Sequence, residues 1–227
     1  MTIKDKLQTI GERIRAAELR YQRTLGSVKL LAVSKHHPVS AIQQAIACGQ
    51  MAFGENYAQE MDDKATQLQQ HSAEWHFIGP IQSNKTRLIA NTASWVHSVD
   101  RLKIARRLGE QKPANTSDIN ICLQINISHE ASKSGIPLAE AEDLAHQVIQ
   151  LAGIRLRGLM AIPAPETDFT KQRACFAQLR QLLEKLNQQG LQLDTLSMGM
   201  TDDMEAAIAE GATIVRIGTA IFGNRHY

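Results

Sequence analysis

Apolar residues along this chain follow two rhythms that alternate almost from end to end. Ile3, Leu7, Ile10, Ile14 and Ala17 recur at spacings of four and three, the pattern of an amphipathic helix. Short apolar runs then predict strands over residues 28–34, 51–54, 74–78, 95–98, 119–126, 155–161, 195–198 and 214–217. Between them, helical spacing predicts helices over 39–48, 57–69, 83–91, 101–110, 138–151, 169–188 and 201–210. Within 169–188, Phe176, Leu179, Leu183 and Leu186 share a stripe. Thr201 is a candidate N-cap, with Asp202 and Asp203 in a first turn where acids suit the helix dipole. Gly211 ends that helix, and Gly49 and Gly153 mark other helix-to-strand turns.

Eight strands alternating with helices predict parallel βαβ units. A doubly wound sheet can hold eight strands, but short repeats with no fingerprint at the first turn fit a (β/α)8 TIM-type barrel better, with one extra helix in front. No linker rich in Pro, Gly or Ser interrupts the 227 residues, so a single domain over 1–227 is expected. A net charge of +2 and 4% aromatic residues give no argument for nucleic acid or a membrane surface. Cys48, Cys122 and Cys175 are odd in number and form no C-x-x-C pair, which fits a reducing, cytoplasmic compartment. The charges scattered through MTIKDKLQTIGERI do not make a signal peptide, and no segment has the apolar length of a membrane span.

In such a barrel, chemistry sits at the C-terminal ends of the strands. Lys35 follows the first strand directly, in VKLLAVSKHHP, although a buried ammonium costs several kcal/mol (about that order) unless it is paired or reacts. An amine of lowered pKa can instead form a Schiff base with an aldehyde or ketone. Arg216, inside the apolar run IVRIG, cannot shed its charge and needs either an acid such as Glu55 or a ligand at the barrel mouth. Gly218 and Thr219 open a short helical turn suited to an anion, and SMGM at 197–200 is its counterpart after strand seven. Lysine, phosphate cup and buried cation together describe a pyridoxal phosphate site. His36 and His37 are adjacent and point apart, so they make no chelating pair, and His76 and His97 are read as isolated core or rim residues. Lys85, Arg87, Arg101, Lys103, Arg106 and Arg107 form a basic stretch, read as a solvated face.

LLAVSKHHP, FGENYAQE, WHFIGPIQSNK, SVDR, QINISHEASKSG, GLMAIPAP, LSMGMTDDMEAAIAEG and TIVRIGTAIFG together resemble the pyridoxal phosphate homeostasis protein family, in order from the first strand to the C-terminus. The resemblance implies a fold-type III barrel like that of alanine racemase, with pyridoxal 5′-phosphate as cofactor. It implies that Lys35 forms the internal aldimine and that Arg216 hydrogen-bonds the pyridine nitrogen. By the same likeness Ser197, Met198, Gly218 and Thr219 hold the phosphate, largely through backbone N–H groups, and Asn56 approaches the ring. His76 and Met160 fall nearby, and Lys133, in SKSG, matches a loop lysine able to offer a second amine. His36 and His37 depart from the polar residues or lysine of many relatives, and Thr201 stands where serine is common.

The activity implied is a carrier or buffer that holds the aldehyde reversibly and makes it available to apo-enzymes, as a monomer with an open mouth. A racemase needs a second base on the far face of the substrate carbon, supplied in alanine racemases by a tyrosine from another domain across a dimer. This chain ends at Tyr227, shortly after the eighth strand, so no such domain is expected. Amino-acid racemase, cofactor-free Schiff-base aldolase, and an adaptor using the basic helices remain the alternatives.

Overall fold

The computed structural model describes residues 1–128 and 134–223. Lys133, and any second amine there, lies outside the described residues. Eight parallel strands close into a barrel in chain order: β1 (Lys29–Val33), β2 (Ala52–Glu55), β3 (Glu74–Phe77), β4 (Trp95–Val99), β5 (Ile119–Ile125), β6 (Ile154–Ala161), β7 (Thr195–Ser197) and β8 (Ile214–Ile217). β1 and β8 complete the ring, with Leu31 opposite Arg216. Each apolar run predicted as a strand is one, within one or two residues at its ends.

Helices surround the ring: α1 (Ile3–Arg20), α2 (Val39–Ala47), α3 (Ala58–Gln67), α4 (Thr86–Thr92), α5 (Leu102–Gln111), α6 (Ala141–Val148), α7 (Phe169–Gln188), α8 (Met204–Ala209) and α9 (Thr219–Phe222). Four details differ from the sequence expectation. The stretches at 83–91 and 138–151 each open with a 3-10 turn, Ser83–Lys85 and Leu138–Glu140, before α4 and α6 begin. On α7 the buried stripe runs Phe176, Leu179, Leu182 and Leu186, with Leu183 only half-buried. Thr201 does not cap α8, because residues 201–203 form a turn held by Asp203, whose Oδ1 accepts from Met200 N at 2.6 Å.

Strand periodicity divides the apolar residues between two cores. Phe53, Phe77, Val96, Ile121, Leu159, Leu196 and Val215 face outward and pack under the helices. Their neighbours in sequence face the barrel axis, where Leu31, Ala52 and Ile214 make one small cluster and Trp95, Cys122 and Met160 another. Cys48 caps the far end of α2 and is exposed. Among the described residues, no helix is long and apolar enough to cross a membrane.

The leading helix is tied to the barrel by polar contacts as well as by packing. Thr2 and Asp5 form a capping box, each side chain accepting from the other's backbone N–H. Near its other end, Glu18 is fully buried and accepts from Gly26 N at 3.0 Å and Val28 N at 2.9 Å, which fixes the turn into β1. Replacing it strands the buried N–H of Val28 and frees the Gly26 turn. Glu18→Leu is expected to cost roughly 3 kcal/mol, seen as a lower midpoint in urea unfolding with an unchanged slope.

Candidate functional site

Parity along each strand decides which side chains reach the barrel mouth. Lys35 stands in the turn that follows β1, is half-buried, and lines the same cavity as the inward-facing Val33. The peptides on either side of it are fixed from behind. Ser34 Oγ donates to Glu55 Oε1 at 2.7 Å, and Ser34 O accepts from Lys64 Nζ at 2.7 Å. His36 N donates to Glu60 Oε1 at 2.6 Å, with His36 in the left-handed region at φ +63°. Lys64, almost fully buried on α3, bridges both acids, reaching Glu55 Oε1 and Glu60 Oε1 at 2.7 Å each. Burial pushes the Glu55 carboxyl above its ordinary value, and the Lys64 amine and Ser34 hydroxyl oppose that rise. Sequence reasoning missed this cluster. Its one local signal was the i,i+4 spacing of Glu60 and Lys64 on a predicted helix.

Glu55 is therefore not the partner of Arg216. Ala52 and Gly54 face inward, so Glu55 points outward beside Phe53 and meets α3. Arg216, fully buried among carbonyls, donates through Nη1 to Ser197 O at 2.6 Å and Ser197 Oγ at 2.8 Å, and through Nη2 to Ala161 O at 2.9 Å. Burial pulls its pKa down to about 10, which still leaves it charged at neutral pH. Three of its five N–H donors are thus engaged below, leaving Nε–H and one Nη2–H.

Lys35, Asn56, Arg216, Gly218 and Thr219 line one cavity of about 280 Å³ at the C-terminal ends of the strands. Val33, Ile78 and Ile162 supply apolar wall, and Met200, Thr201 and Asp202 complete the rim. These rim residues were not singled out as ligand contacts in the sequence, because Thr201 was assigned to a helix cap. Asn56 Oδ1 is buried without a hydrogen-bond partner, an acceptor left for a ligand. Gly79 makes its position possible, since a Cβ there would lie 2.1 Å from Asn56 O.

Ser197 and Met198 do not reach the cavity lining. Met198 has the outward parity, its side chain lies in the outer core, and its N–H donates to Ile214 O at 3.1 Å. Ser197 lies beneath the cavity floor, fully buried, as the support of Arg216. The chain turns into the rim one residue later than expected, at Gly199, whose φ of +95° and 2.6 Å approach to Ala207 Cβ exclude a side chain.

His76 and His97 are not isolated. Both are fully buried inside the barrel, with His76 Nδ1 2.8 Å from His97 Nε2 and His97 Nδ1 2.7 Å from Ser197 Oγ. Met160 is also fully buried, packed with Trp95 and Cys122. His36 and His37 do point apart, against Tyr57 and Phe222 respectively. Two residues of the basic stretch are structural: Arg101 donates to Ile81 O and Arg107 to Thr86 Oγ1. Among the described residues there is no group of three or more His, Cys, Asp or Glu able to hold a metal ion.

The closed eight-strand parallel barrel is of the alanine racemase type, and it brings Lys35 after β1 and Arg216 on β8 to one cavity. The family model described as "Alanine racemase, N-terminal domain" matches residues 7–226. A pyridoxal phosphate homeostasis protein of Pseudomonas aeruginosa is 56% identical over 226 residues, covering 100% of this chain and 97% of the relative. That of Escherichia coli K12 is 52% identical, covering 99% of this chain and 97% of its own length. The solved structure of PipY from Synechococcus elongatus, with PLP bound, superposes with a TM-score of 0.81 at 39% identity, over 94% of this chain and 100% of that one. This chain belongs to the pyridoxal phosphate homeostasis protein family, within the alanine racemase N-terminal domain class.

The Glu55–Lys64 pair makes a test of how the Lys35 turn is held. Lys64→Met leaves Glu55 buried without its counter-charge and is expected to cost roughly 3–5 kcal/mol. Glu55→Gln in the same chain should restore part of that loss, measured as a double-mutant cycle in urea. The pH dependence has a fixed sign. Because the folded state holds the Glu55 proton more tightly than the unfolded chain, the Lys64→Met loss is largest at neutral pH. It should shrink as pH falls through the raised folded value toward the ordinary carboxylate range.

Proposed function

We propose that the chain binds pyridoxal 5′-phosphate at the barrel mouth and holds it reversibly, buffering the free aldehyde and making it available to apo-enzymes. The observation that carries this reading is the meeting of an amine, a guanidinium, a buried acceptor without a partner and a Gly-Thr turn in one cavity. The group supplies an aldehyde that a lysine amine captures as a Schiff base. Lys35 is the capturing amine, placed at the cavity by the turn after β1 and steadied by the Glu55–Lys64–Glu60 cluster. Arg216 donates to the ring nitrogen through the N–H groups its protein partners leave over. Asn56 Oδ1 faces the ring, and Gly218 and Thr219 receive the phosphate. Thr201, which lines the same cavity, joins them in place of Met198.

Holding rather than turnover is supported by the homeostasis name of the relatives. A permanent cation donating to the ring nitrogen opposes its protonation and weakens the ring as an electron sink, an arrangement that racemases share and that does not alone exclude catalysis. The reading includes a monomer, a single domain over 1–227 and a cytoplasmic setting, the last supported by cysteines without C-x-x-C pairing.

The deciding measurement is the visible spectrum of the purified protein titrated with pyridoxal phosphate, alongside Lys35→Ala. The wild type is expected to develop a yellow band that borohydride bleaches, with the reduced adduct mapped by mass to Lys35. Lys35→Ala should lack the band. A wild type without it at saturating cofactor refutes the reading, and turnover of D- or L-amino acids by the loaded protein refutes the carrier assignment alone.

A further inference from the structure

The barrel axis holds a row of polar side chains that cofactor binding alone does not explain. It begins at Arg216 and descends through Ser197, His97 and His76 to Glu74, which is half-buried near the opposite end of the barrel. The first three links are 2.8, 2.7 and 2.8 Å long. The last, His76 Nε2 to Glu74 Oε2, is 3.4 Å, longer than an ordinary hydrogen bond.

Donor and acceptor chemistry favours one direction along this row, because a Ser197 Oγ that accepted from both Arg216 and His97 would leave its own hydrogen without an acceptor. Arg216 only donates, so Ser197 Oγ accepts from it and turns its own hydrogen to His97 Nδ1. A neutral His97 with an accepting Nδ1 carries its proton on Nε2 and gives it to His76 Nδ1. His76 then carries its own proton on Nε2, which faces the Glu74 carboxylate across 3.4 Å without a hydrogen bond to it. The obligate donor at one end, the Ser197 hydrogen that needs an acceptor and the anion facing His76 together favour the Nε2–H form of both rings.

Packing holds the pair in this arrangement. The His76 ring stacks on Trp95 with an interplanar angle of 1°. Glu74 is fixed in turn by Trp95 Nε1 at 2.9 Å and Lys29 Nζ at 2.6 Å. The charged or titratable groups acting on the two imidazoles are Glu74 and Lys29 below and Arg216 above, with Cys122 also inside the barrel. Burial pushes both imidazoles below their ordinary pKa, His97 the further, which keeps them neutral.

We infer that His97 and His76 are positioning residues that form a one-way hydrogen-bond relay below Ser197, orienting Arg216 toward the ring nitrogen, with Glu74 facing the far end of the relay. The relay explains how a buried guanidinium with no directly bonded carboxylate keeps its remaining donors upward, Asp203 being the carboxylate whose charge acts on it without a hydrogen bond. Ser197, held by His97, keeps it seated on the floor. This inference rests on the cofactor reading, and its test separates the two.

Two measurements decide it. In the 15N-labelled protein without cofactor, side-chain histidine spectra should show both residues as the neutral Nε2–H form, unchanged from pH 6 to 8. An Nδ1–H form, or a titration within that range, in either residue overturns the relay.

The second measurement titrates pyridoxal phosphate into His97→Gln and His97→Leu. Glutamine can accept from Ser197 and donate to His76, whereas leucine only fills space. His97→Leu is expected to weaken binding about tenfold and to move the acid-side transition of the yellow band to higher pH, because a loosened Arg216 opposes ring protonation less. His97→Gln should recover most of both. A packing role predicts the reverse order, and a folded His97→Leu protein matching the wild type overturns the relay while leaving the cofactor reading intact. A wild type without the Lys35 band overturns both. Should His97→Leu fail to fold, the tautomer spectra of the wild type decide the matter.

Discussion

A guanidinium cannot escape burial by losing its proton, and Arg216 is buried inside the barrel, where among the described residues it has no carboxylate within hydrogen-bond reach. Much of the barrel axis is arranged around that fact. Two backbone carbonyls and a serine hydroxyl solvate it from below. The Gly199 turn returns its own carbonyl to Arg216 N at 2.9 Å, so the strand carrying the arginine and the loop forming the rim are joined at that residue. A barrel of this class is ordinarily filled by branched aliphatic layers. Here Leu31, Ala52 and Ile214 fill only part of the axis, and histidines, a serine and the arginine occupy the rest. An interior so polar is stable only when each member has a partner, and it leaves little freedom for any of them to turn.

The amine at the mouth is handled differently. Lys35 is only half-buried, and the charged groups that hold its turn lie behind it. Lys64 takes the fully buried role, neutralising Glu55 and Glu60 and holding the carbonyl of Ser34. One lysine is spent on geometry so that another reaches the cavity with its backbone already set. Preorganisation of this kind reduces what must be ordered when a ligand arrives.

The strands were legible because each is a short apolar run bounded by polar residues, and parity along them then assigns an inner and an outer face. Lys35, Asn56, Arg216, Gly218 and Thr219 were expected together because each stands at or just past a strand end, and they do line one cavity. Met198 was expected to offer its backbone N–H, but that group donates to Ile214 O, a pairing that only the β7–β8 register reveals. Thr201 was misread because an Asp-rich stretch resembles a helix start, while the actual turn is closed by Asp203 on Met200 N. The pairing of His76 with His97 needed more than sequence. The two are 21 positions apart on neighbouring strands, and whether they touch depends on the register that sets His76 opposite Trp95.

Cys122 shares the barrel interior with Arg216, yet burial pushes its thiol up to about 12. A protonated thiol is a poor nucleophile. An electrophile entering the mouth therefore meets no competing sulfur inside the barrel, and the exposed Cys48 lies at the far end of α2. The protein keeps its nucleophiles apart by ionisation state as well as by position. Reagents that alkylate thiols will mark the outside of this molecule and leave its interior chemistry silent.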